Sequence, residues 1–128
     1  MFDLFNFFTE SNAASVDVSA ISPATEHVSF RDNFVTTLKH ADGSLCTLTY
    51  TALGAPELPK EYIEIYCDGK TLVIDDFKEL RAYGTKTSGW KGAQDKGHIK
   101  ELEEFGRCIR DSGPWPISLD ELVSATKI

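Results

Sequence analysis

Histidine and cysteine are the residue types in this chain most suited to acid–base, metal or nucleophilic chemistry. The histidines are widely separated: His27, His40 and His98. None stands four residues from another histidine or from a cysteine, the spacing that would place two metal ligands on one helix face. For His27 and His40 we favour ordinary surface or loop positions.

The cysteines are odd in number and widely spaced: Cys46, Cys67 and Cys108. They form no CxxC pair, so the pattern favours neither a disulfide framework nor a zinc site. Reduced thiols in a cytoplasmic setting are the simplest interpretation.

The segment that leads into a predicted helix near His98 combines lysine, glycine and an aromatic residue. Helix N-termini often hold anionic or hydroxylated groups, so Lys96 and His98 are candidates for substrate binding. The alternative is that Asp95 caps the helix and that His98 is an exposed first-turn residue. Trp90 either covers a sugar-like ligand or packs on its own domain.

Asp3 is the remaining candidate, because it interrupts an otherwise apolar helical segment over Phe2–Phe8. A carboxylate there either faces solvent or contacts a polar group in another part of the protein. No GxGxxG, GxxxxGK[ST], GxSxG or HExxH motif occurs, so the chain itself is predicted to hold no cofactor and no metal.

Six segments have the composition and alternation of β-strands: Ser15–Ile21, Phe34–His40, Leu45–Ala52, Tyr62–Cys67, Lys70–Asp75 and Leu80–Tyr83. Asp42-Gly43 and Asp68-Gly69 each favour a two-residue type I′ turn. The first turn would place Val35 and Thr37 on one face with Cys46, Leu48 and Tyr50, and Phe34, Leu38 and Leu45 on the other. The second would align Ile63, Ile65, Leu72 and Ile74.

Three segments have helical spacing. The first covers Phe2–Phe8 and is apolar on nearly all sides, which predicts burial on several of them. The second carries Ile99, Leu102, Phe105 and Ile109 and ends at Gly113-Pro114. The third opens with a capping box of Ser118 and Glu121. Because the first helix lacks a cap and the third lacks a stop signal, we expect the chain to begin and end inside elements of a longer protein.

The 128 residues are enough for one domain, over 1–128, with an ordinary hydrophobic core. A formal charge of -7 disfavours nucleic acid and anionic lipid as partners, and no apolar run reaches the length of a membrane helix. The pattern predicts an α+β fold: a predominantly antiparallel, open-faced sheet of about six strands, with helices packed on one face. Residues 85–97 are low in apolar content and are predicted to form a mobile loop.

The order of these motifs resembles the C-terminal domain of Gfo/Idh/MocA-type dehydrogenases. The residues that carry the resemblance are FVTTL from Phe34, ADGSLCTLTYTALG from Ala41, EYIEIYCDGK from Glu61 and LDELV from Leu119. The resemblance covers nearly the whole chain. It implies that the parent protein is an NAD(P)-dependent oxidoreductase that acts on a sugar, a nucleotide sugar or a polyol.

The family's Rossmann domain, with its glycine fingerprint and its E-K-P lysine, is absent from this chain. In the family a G-x-H-x-x-D segment opens the C-terminal domain, and Asp3 resembles its closing aspartate. The resemblance therefore implies a missing Rossmann domain as partner, subunit pairing through the open sheet face, and an isolated chain that is inactive. The alternative is a self-contained ligand-binding or dimerisation module without catalysis.

Overall fold

A computed structural model describes residues 1–22 and 26–127, which form two compact units. Unit 1 comprises Met1–Gly54 and Trp115–Ile128, and unit 2 comprises Ala55–Pro114. The elements follow in the order α1 (Phe2–Thr9), β1 (Ala13–Ala20), a 3-10 turn (Phe30–Asp32), β2 (Asn33–His40), β3 (Leu45–Thr51), β4 (Tyr62–Cys67), β5 (Lys70–Asp75), β6 (Glu79–Tyr83), β7 (Trp90–Lys91), α2 (His98–Asp111) and α3 (Leu119–Lys127).

The predicted antiparallel α+β architecture is confirmed, but its strands are divided between two hydrogen-bonded sheets. Unit 1 holds the order β1-β2-β3, and unit 2 holds β4-β5-β6-β7. The division falls at the segment 52–61, where Pro56 and Pro59 lack the N–H groups that a sheet ladder needs. Part of the predicted connection after β1 lies in residues 23–25, outside the described residues.

The first hairpin has a longer loop than predicted. Lys39 pairs with Leu45, and the His40 N–H donates to the Ser44 carbonyl at 2.8 Å, which leaves a three-residue loop with Gly43 at φ 93. Asp42 stabilises this loop, because its carboxylate accepts from the Ser44 N–H (3.0 Å) and from Ser44 Oγ (2.7 Å). These bonds lower the pKa of Asp42, and the bond from the Ser44 side chain has the larger effect.

This difference of one residue reverses the predicted pairing of faces, since side chains alternate along a strand. Phe34 stacks on Tyr50 with ring centroids 5.4 Å apart, and Leu38 lies opposite Cys46. The predicted grouping of Val35 and Thr37 with Tyr50 is therefore wrong.

The core of unit 1 lies on the Phe34 face of β2 and includes polar groups. Thr36, Leu38 and His40 alternate along this face and are each at most 1% exposed. The surface or loop position predicted for His40 is wrong, because the observed register places it on the buried face. His27 lies in an exposed turn, as predicted.

Asn33 closes the other end of the same strand. Its Oδ1 accepts from Thr51 Oγ1 (2.8 Å) and from the Ala52 N–H (3.0 Å), and its Nδ2 donates to the Ser29 carbonyl (2.9 Å). These bonds satisfy a side chain that is fully buried.

The second hairpin has the predicted type I′ turn, with Asp68 at φ 46 and Gly69 at φ 74. Ile63 pairs with Ile74 and Ile65 with Leu72, so these four apolar side chains share one face as predicted. Residues 85–97 differ from the prediction of a loop without regular structure, because Trp90 and Lys91 form β7 and pair with Leu80 and Glu79.

The three helices occupy the predicted places, but their burial differs from the prediction. In α1 Phe5 is buried, while Phe7 is 73% exposed, so the expected burial on several sides is wrong. Helix α2 buries no residue, and its apolar stripe is open to solvent: Ile99, Leu102, Phe105 and Ile109. Within the described ranges, the helices lack the length and apolarity that crossing a membrane would require.

Leu38 provides a test of the observed register. Its side chain is 0% exposed, so Leu38→Ala should lower the free energy of unfolding by about 2–5 kcal/mol through lost burial and the cavity left behind. Leu45→Ala, at a position that is 69% exposed, should change it by no more than about 0.5 kcal/mol. Urea unfolding followed by circular dichroism measures both, and equal losses would contradict the assignment of faces.

Candidate functional site

A groove in unit 1 runs between α1 and the segment before and within α3. Its volume is about 1000 Å³. Asp3, Asn6, Phe7 and Glu10 line it from the α1 side, at the i, i+3, i+4 and i+7 spacing that places side chains on one helix face. Of these residues, only Asp3 was a candidate from the sequence.

The opposite wall includes Pro116, Ile117 and Glu121. The capping box predicted for α3 is present: the Ser118 N–H and Oγ each donate to the Glu121 carboxylate at 2.7 Å, and the Glu121 N–H donates to Ser118 Oγ at 3.2 Å. The hydrogen bonds from Ser118 lower the pKa of Glu121, and the bond from the Ser118 side chain has the larger effect. The groove therefore has a fixed negative charge on this wall.

The C-terminal end of α1 is tied to the first hairpin by buried polar contacts. His40 Nδ1 lies 2.8 Å from the Ser11 carbonyl and 3.1 Å from Thr9 Oγ1. Because a carbonyl only accepts, the first contact assigns the proton to Nδ1. The Ala41 N–H also donates to the Asn12 carbonyl (3.1 Å), so sheet and helix hold one wall of the groove together.

The polar lining of the groove is rich in hydrogen-bond acceptors. Every charged residue that lines it is a carboxylate: Asp3, Glu10 and Glu121. The Oδ1 atom of Asn6 is buried and has no hydrogen-bond partner among the described residues. Because the carboxylates of the lining only accept hydrogen bonds, this arrangement suits a ligand that brings hydroxyl or N–H donors.

A nicotinamide dinucleotide does not fit these residues. Its pyrophosphate needs N–H donors or cations, which a glycine-rich loop at a helix N-terminus normally supplies. The charged residues in the lining of the groove are carboxylates, and the lining contains no Lys, Arg or His side chain. Among the described residues, no group of three or more His, Cys, Asp or Glu side chains is placed to hold a metal ion.

In unit 2 the ammonium group of Lys96 is engaged within the chain. Its Nζ lies 2.7 Å from Glu61 Oε1 and 6.0 Å from the ring centroid of Phe77. The two charged side chains are 30% and 21% exposed, so the ion pair is partly shielded from water. A structural role therefore competes with the substrate-binding role predicted for Lys96.

The backbone around Lys96 is held by the turn between β5 and β6. Asp76 and Phe77 occupy left-handed conformations there, at φ 49 and φ 52, although neither is glycine. The neighbouring loop donates to this turn three times, from the Gly92 N–H to the Lys78 carbonyl (2.9 Å), from Gln94 Nε2 to the Asp76 carbonyl (3.1 Å) and from the Asp95 N–H to the Phe77 carbonyl (3.2 Å).

The carboxylate of Asp76 adds an ion pair to this turn. Its Oδ2 lies 2.5 Å from Lys78 Nζ, and its side chain is only 10% exposed. The hydrogen bond from Lys78 is the main cause that lowers the pKa of Asp76, with contributions from Glu61 and Lys96. A connected set of charges thus holds the loop that precedes α2.

His98 and Trp90 both lie at the surface of unit 2. His98 is the exposed first residue of α2, whose N-cap is Gly97 at φ 78 without a side-chain cap. Asp95 accepts from the Gly97 N–H at 2.8 Å, one residue before the helix, so it closes the lead-in turn. Trp90 is 48% exposed, and its ring covers Gly92, where an added Cβ would lie 2.7 Å from Cζ2.

The sequence candidates therefore fall in different units: Asp3 in unit 1, and Trp90, Lys96 and His98 in unit 2. Sequence reasoning missed Asn6, Glu10 and Glu121 as groove residues. The helical spacing from Asp3 and the capping box could have indicated them, but their common groove depends on how α3 lies against α1.

Replacement of Lys96 tests whether its ion pair holds the loop. Lys96→Gln should lower the free energy of local opening by about 1–2 kcal/mol, because Glu61 loses its charged partner. Native-state hydrogen exchange at the amides of Gly92 and Asp95 measures this change. Lys91→Gln is the control, since that side chain is 79% exposed and 3.6 Å from its partner, and it should have an effect below about 0.5 kcal/mol. Equal effects would refute the role of the ion pair.

Comparison with known protein families and with curated proteins finds no match. Among solved structures the chain is similar to UDP-N-acetylglucosamine 3-dehydrogenase GnnA from Acidithiobacillus ferrooxidans in two crystal forms. In each the TM-score is 0.76 and the identity 15%, over 99% of this chain and 43% or 42% of that chain. The chain thus has the fold of less than half of that dehydrogenase.

Proposed function

We propose that this chain is the substrate-side C-terminal domain of an NAD(P)-dependent oxidoreductase of the Gfo/Idh/MocA type. The main support for this proposal is the similarity in fold to a dehydrogenase over 99% of the chain, and the order of the sequence motifs agrees with it. The proposed substrate of the parent protein is a sugar, a nucleotide sugar or a polyol. On this proposal units 1 and 2 together form one domain, in a cytoplasmic protein.

The division of labour follows from the chemistry of the groove. The lining of the groove contains no cation for a dinucleotide pyrophosphate, so in this proposal hydride transfer depends on a partner Rossmann domain, and the isolated chain is inactive. A neighbour more than twice as long leaves room for such a domain in the parent protein. In this proposal the longer parent protein catalyses the reaction, and this chain alone does not.

The role proposed for this chain is to bind and orient the hydroxylated part of the substrate. Asp3 and Glu10, both exposed, accept hydrogen bonds from sugar hydroxyl groups, and Phe7 offers an apolar surface to the C–H face of a ring. The negative lining disfavours phosphate, so the nucleotide part of a nucleotide sugar would lie outside this groove. For unit 2, taken by itself, His98 and Trp90 are proposed as substrate contacts because both are exposed.

A titration of the ¹⁵N-labelled chain with N-acetylglucosamine, followed by NMR, tests the groove. We expect shifts centred on Asp3, Asn6 and Phe7, and weak binding because most of the proposed active site is absent. Asp3→Ala should weaken binding by about three- to tenfold through loss of one hydrogen bond. Asp17→Asn, on exposed β1, is the control and should leave the titration unchanged. Shifts elsewhere, or equal binding by Asp3→Ala, would refute the site.

The sheet of unit 2 supports a further part of the proposal, namely pairing with a second copy of the chain. Three tyrosines on one face are strongly exposed: Tyr62 at 58%, Tyr66 at 71% and Tyr83 at 54%. Both Tyr62 Oη (3.2 Å) and Tyr66 Oη (3.0 Å) donate to the Glu64 carboxylate. Aromatic residues held in fixed positions are typical of subunit interfaces.

The double variant Tyr62→Ser, Tyr66→Ser tests the pairing. Sedimentation velocity should find dimers for the unmodified chain and at least a tenfold higher dissociation constant for the variant, because the interface loses aromatic area. Leu58→Ser is the control, since Leu58 is 68% exposed outside the sheet. A strictly monomeric unmodified chain would contradict the interface.

The same tyrosine face also favours the second candidate function, a self-contained dimerisation module without catalysis. The coding DNA upstream of Met1 distinguishes the two candidates. An in-frame nicotinamide-binding sequence supports the oxidoreductase, and a stop codon directly upstream supports the module.

A further inference from the structure

A small concave site lies in unit 2, on the sheet face that alternates with the tyrosines. Its volume is about 290 Å³, close to the lower end of the range of roughly 300–1,000 Å³ for small-molecule sites. Its floor is apolar and comes from adjacent strands: Ile65, Leu72, Leu80 and Ala82. Each of these side chains is half-buried, so the floor is accessible but already part of the sheet.

The polar groups of this site lie at one end. Cys67 and Lys70 face each other across the hairpin of β4 and β5, and Lys70 is the one charged residue in the lining. The ion pairs found among the described residues do not include Lys70. In a chain with a net charge of -7, the site therefore combines an apolar floor with an available cation.

The loop over the site is held in place by close backbone contacts. A Cβ added to Gly84 would lie 2.4 Å from the Gly69 carbonyl oxygen, and one added to Gly89 would lie 2.1 Å from that of Leu80. The loop between these glycines brings Thr85 and Thr87 to the rim, where their Oγ1 atoms are 3.3 Å apart. The rim is thus formed without a ligand.

We propose that this site binds a small amphiphilic carboxylate, a short alkyl or aryl acid. The carboxylate pairs with Lys70 Nζ and accepts from the Thr87 hydroxyl at the rim, since the Thr85 hydroxyl donates to Thr87, while the hydrocarbon part covers Leu72 and Leu80. Charge selects an anion, because Lys70 is the sole charge in the lining, and volume limits the apolar part to a single small group. This site is separate from the groove of unit 1, and the proposal does not depend on the proposed function.

Cys67 provides a built-in reporter of occupancy. The thiol is free and exposed, and a ligand in the site would cover it, whereas Cys46 and Cys108 lie outside the lining and serve as internal references. Hexanoate is the probe. Acetate is a control that keeps the carboxylate without the hydrocarbon chain, and hexanol is a control that keeps the hydrocarbon chain without the charge. The rate of alkylation by iodoacetamide is followed for each cysteine by peptide mass spectrometry.

We expect saturating hexanoate to slow the alkylation of Cys67 at least threefold and to leave Cys46 and Cys108 unchanged. Acetate at the same ionic strength should give no protection, and hexanol should need at least a tenfold higher concentration, about the effect of one charge-assisted bond. Butanoate should bind more weakly than hexanoate by roughly tenfold, since two methylene groups fewer are buried.

Two exposed lysines supply matched variants. Lys70→Gln should raise the hexanoate concentration for half-protection at least tenfold, and Lys60→Gln, outside the site, should leave it unchanged. Circular dichroism confirms that both variants fold. Absence of protection by hexanoate, equal protection by acetate, or an unchanged response of Lys70→Gln would each overturn the proposal.

Discussion

The register of the β2–β3 hairpin is the constraint on which the rest of unit 1 depends. Asp42 fixes it through its two hydrogen bonds to Ser44, which stabilise a three-residue loop. This loop places Leu38 and His40 on the buried face, and His40 in turn holds the end of α1 through the Ser11 carbonyl. The groove between α1 and α3 is therefore positioned by a few polar contacts at one end of a sheet.

The fold was predictable where local chemistry alone determines conformation. The type I′ turn at Asp68-Gly69 needs only residues that tolerate positive φ, and the Ser118–Glu121 capping box is closed within four residues. The Asp42-Gly43 loop was not predictable in the same way. The Asp-Gly dipeptide is compatible with both a two-residue and a three-residue loop. The hydrogen bonds from Ser44 to Asp42 favour the three-residue loop, and a prediction from the dipeptide alone does not take Ser44 into account.

The candidate sites were predictable only in part, because they depend on contacts between distant segments. Asp3 was recognised as a carboxylate in an apolar helix, but Glu10 and Glu121 became relevant only because α3 lies against α1. Lys96 was read as an available cation, whereas Glu61, 35 residues earlier, pairs with it. At the turn between β5 and β6, Asp76 tolerates positive φ as Asp68 does, but Phe77 stands where Gly69 stands in the other turn, so no Asp-Gly signal marked it.

Helix α2 has a consequence for how evenly stability is distributed along the chain. It comprises 14 residues, close to the length of about 12–15 residues at which an isolated helix is only marginally stable in water. Since it buries none of them, local terms such as the pair of Lys100 with Glu104 at 2.8 Å contribute much of its order. The helix should therefore open and close independently of the sheet, as a separate and weaker cooperative segment.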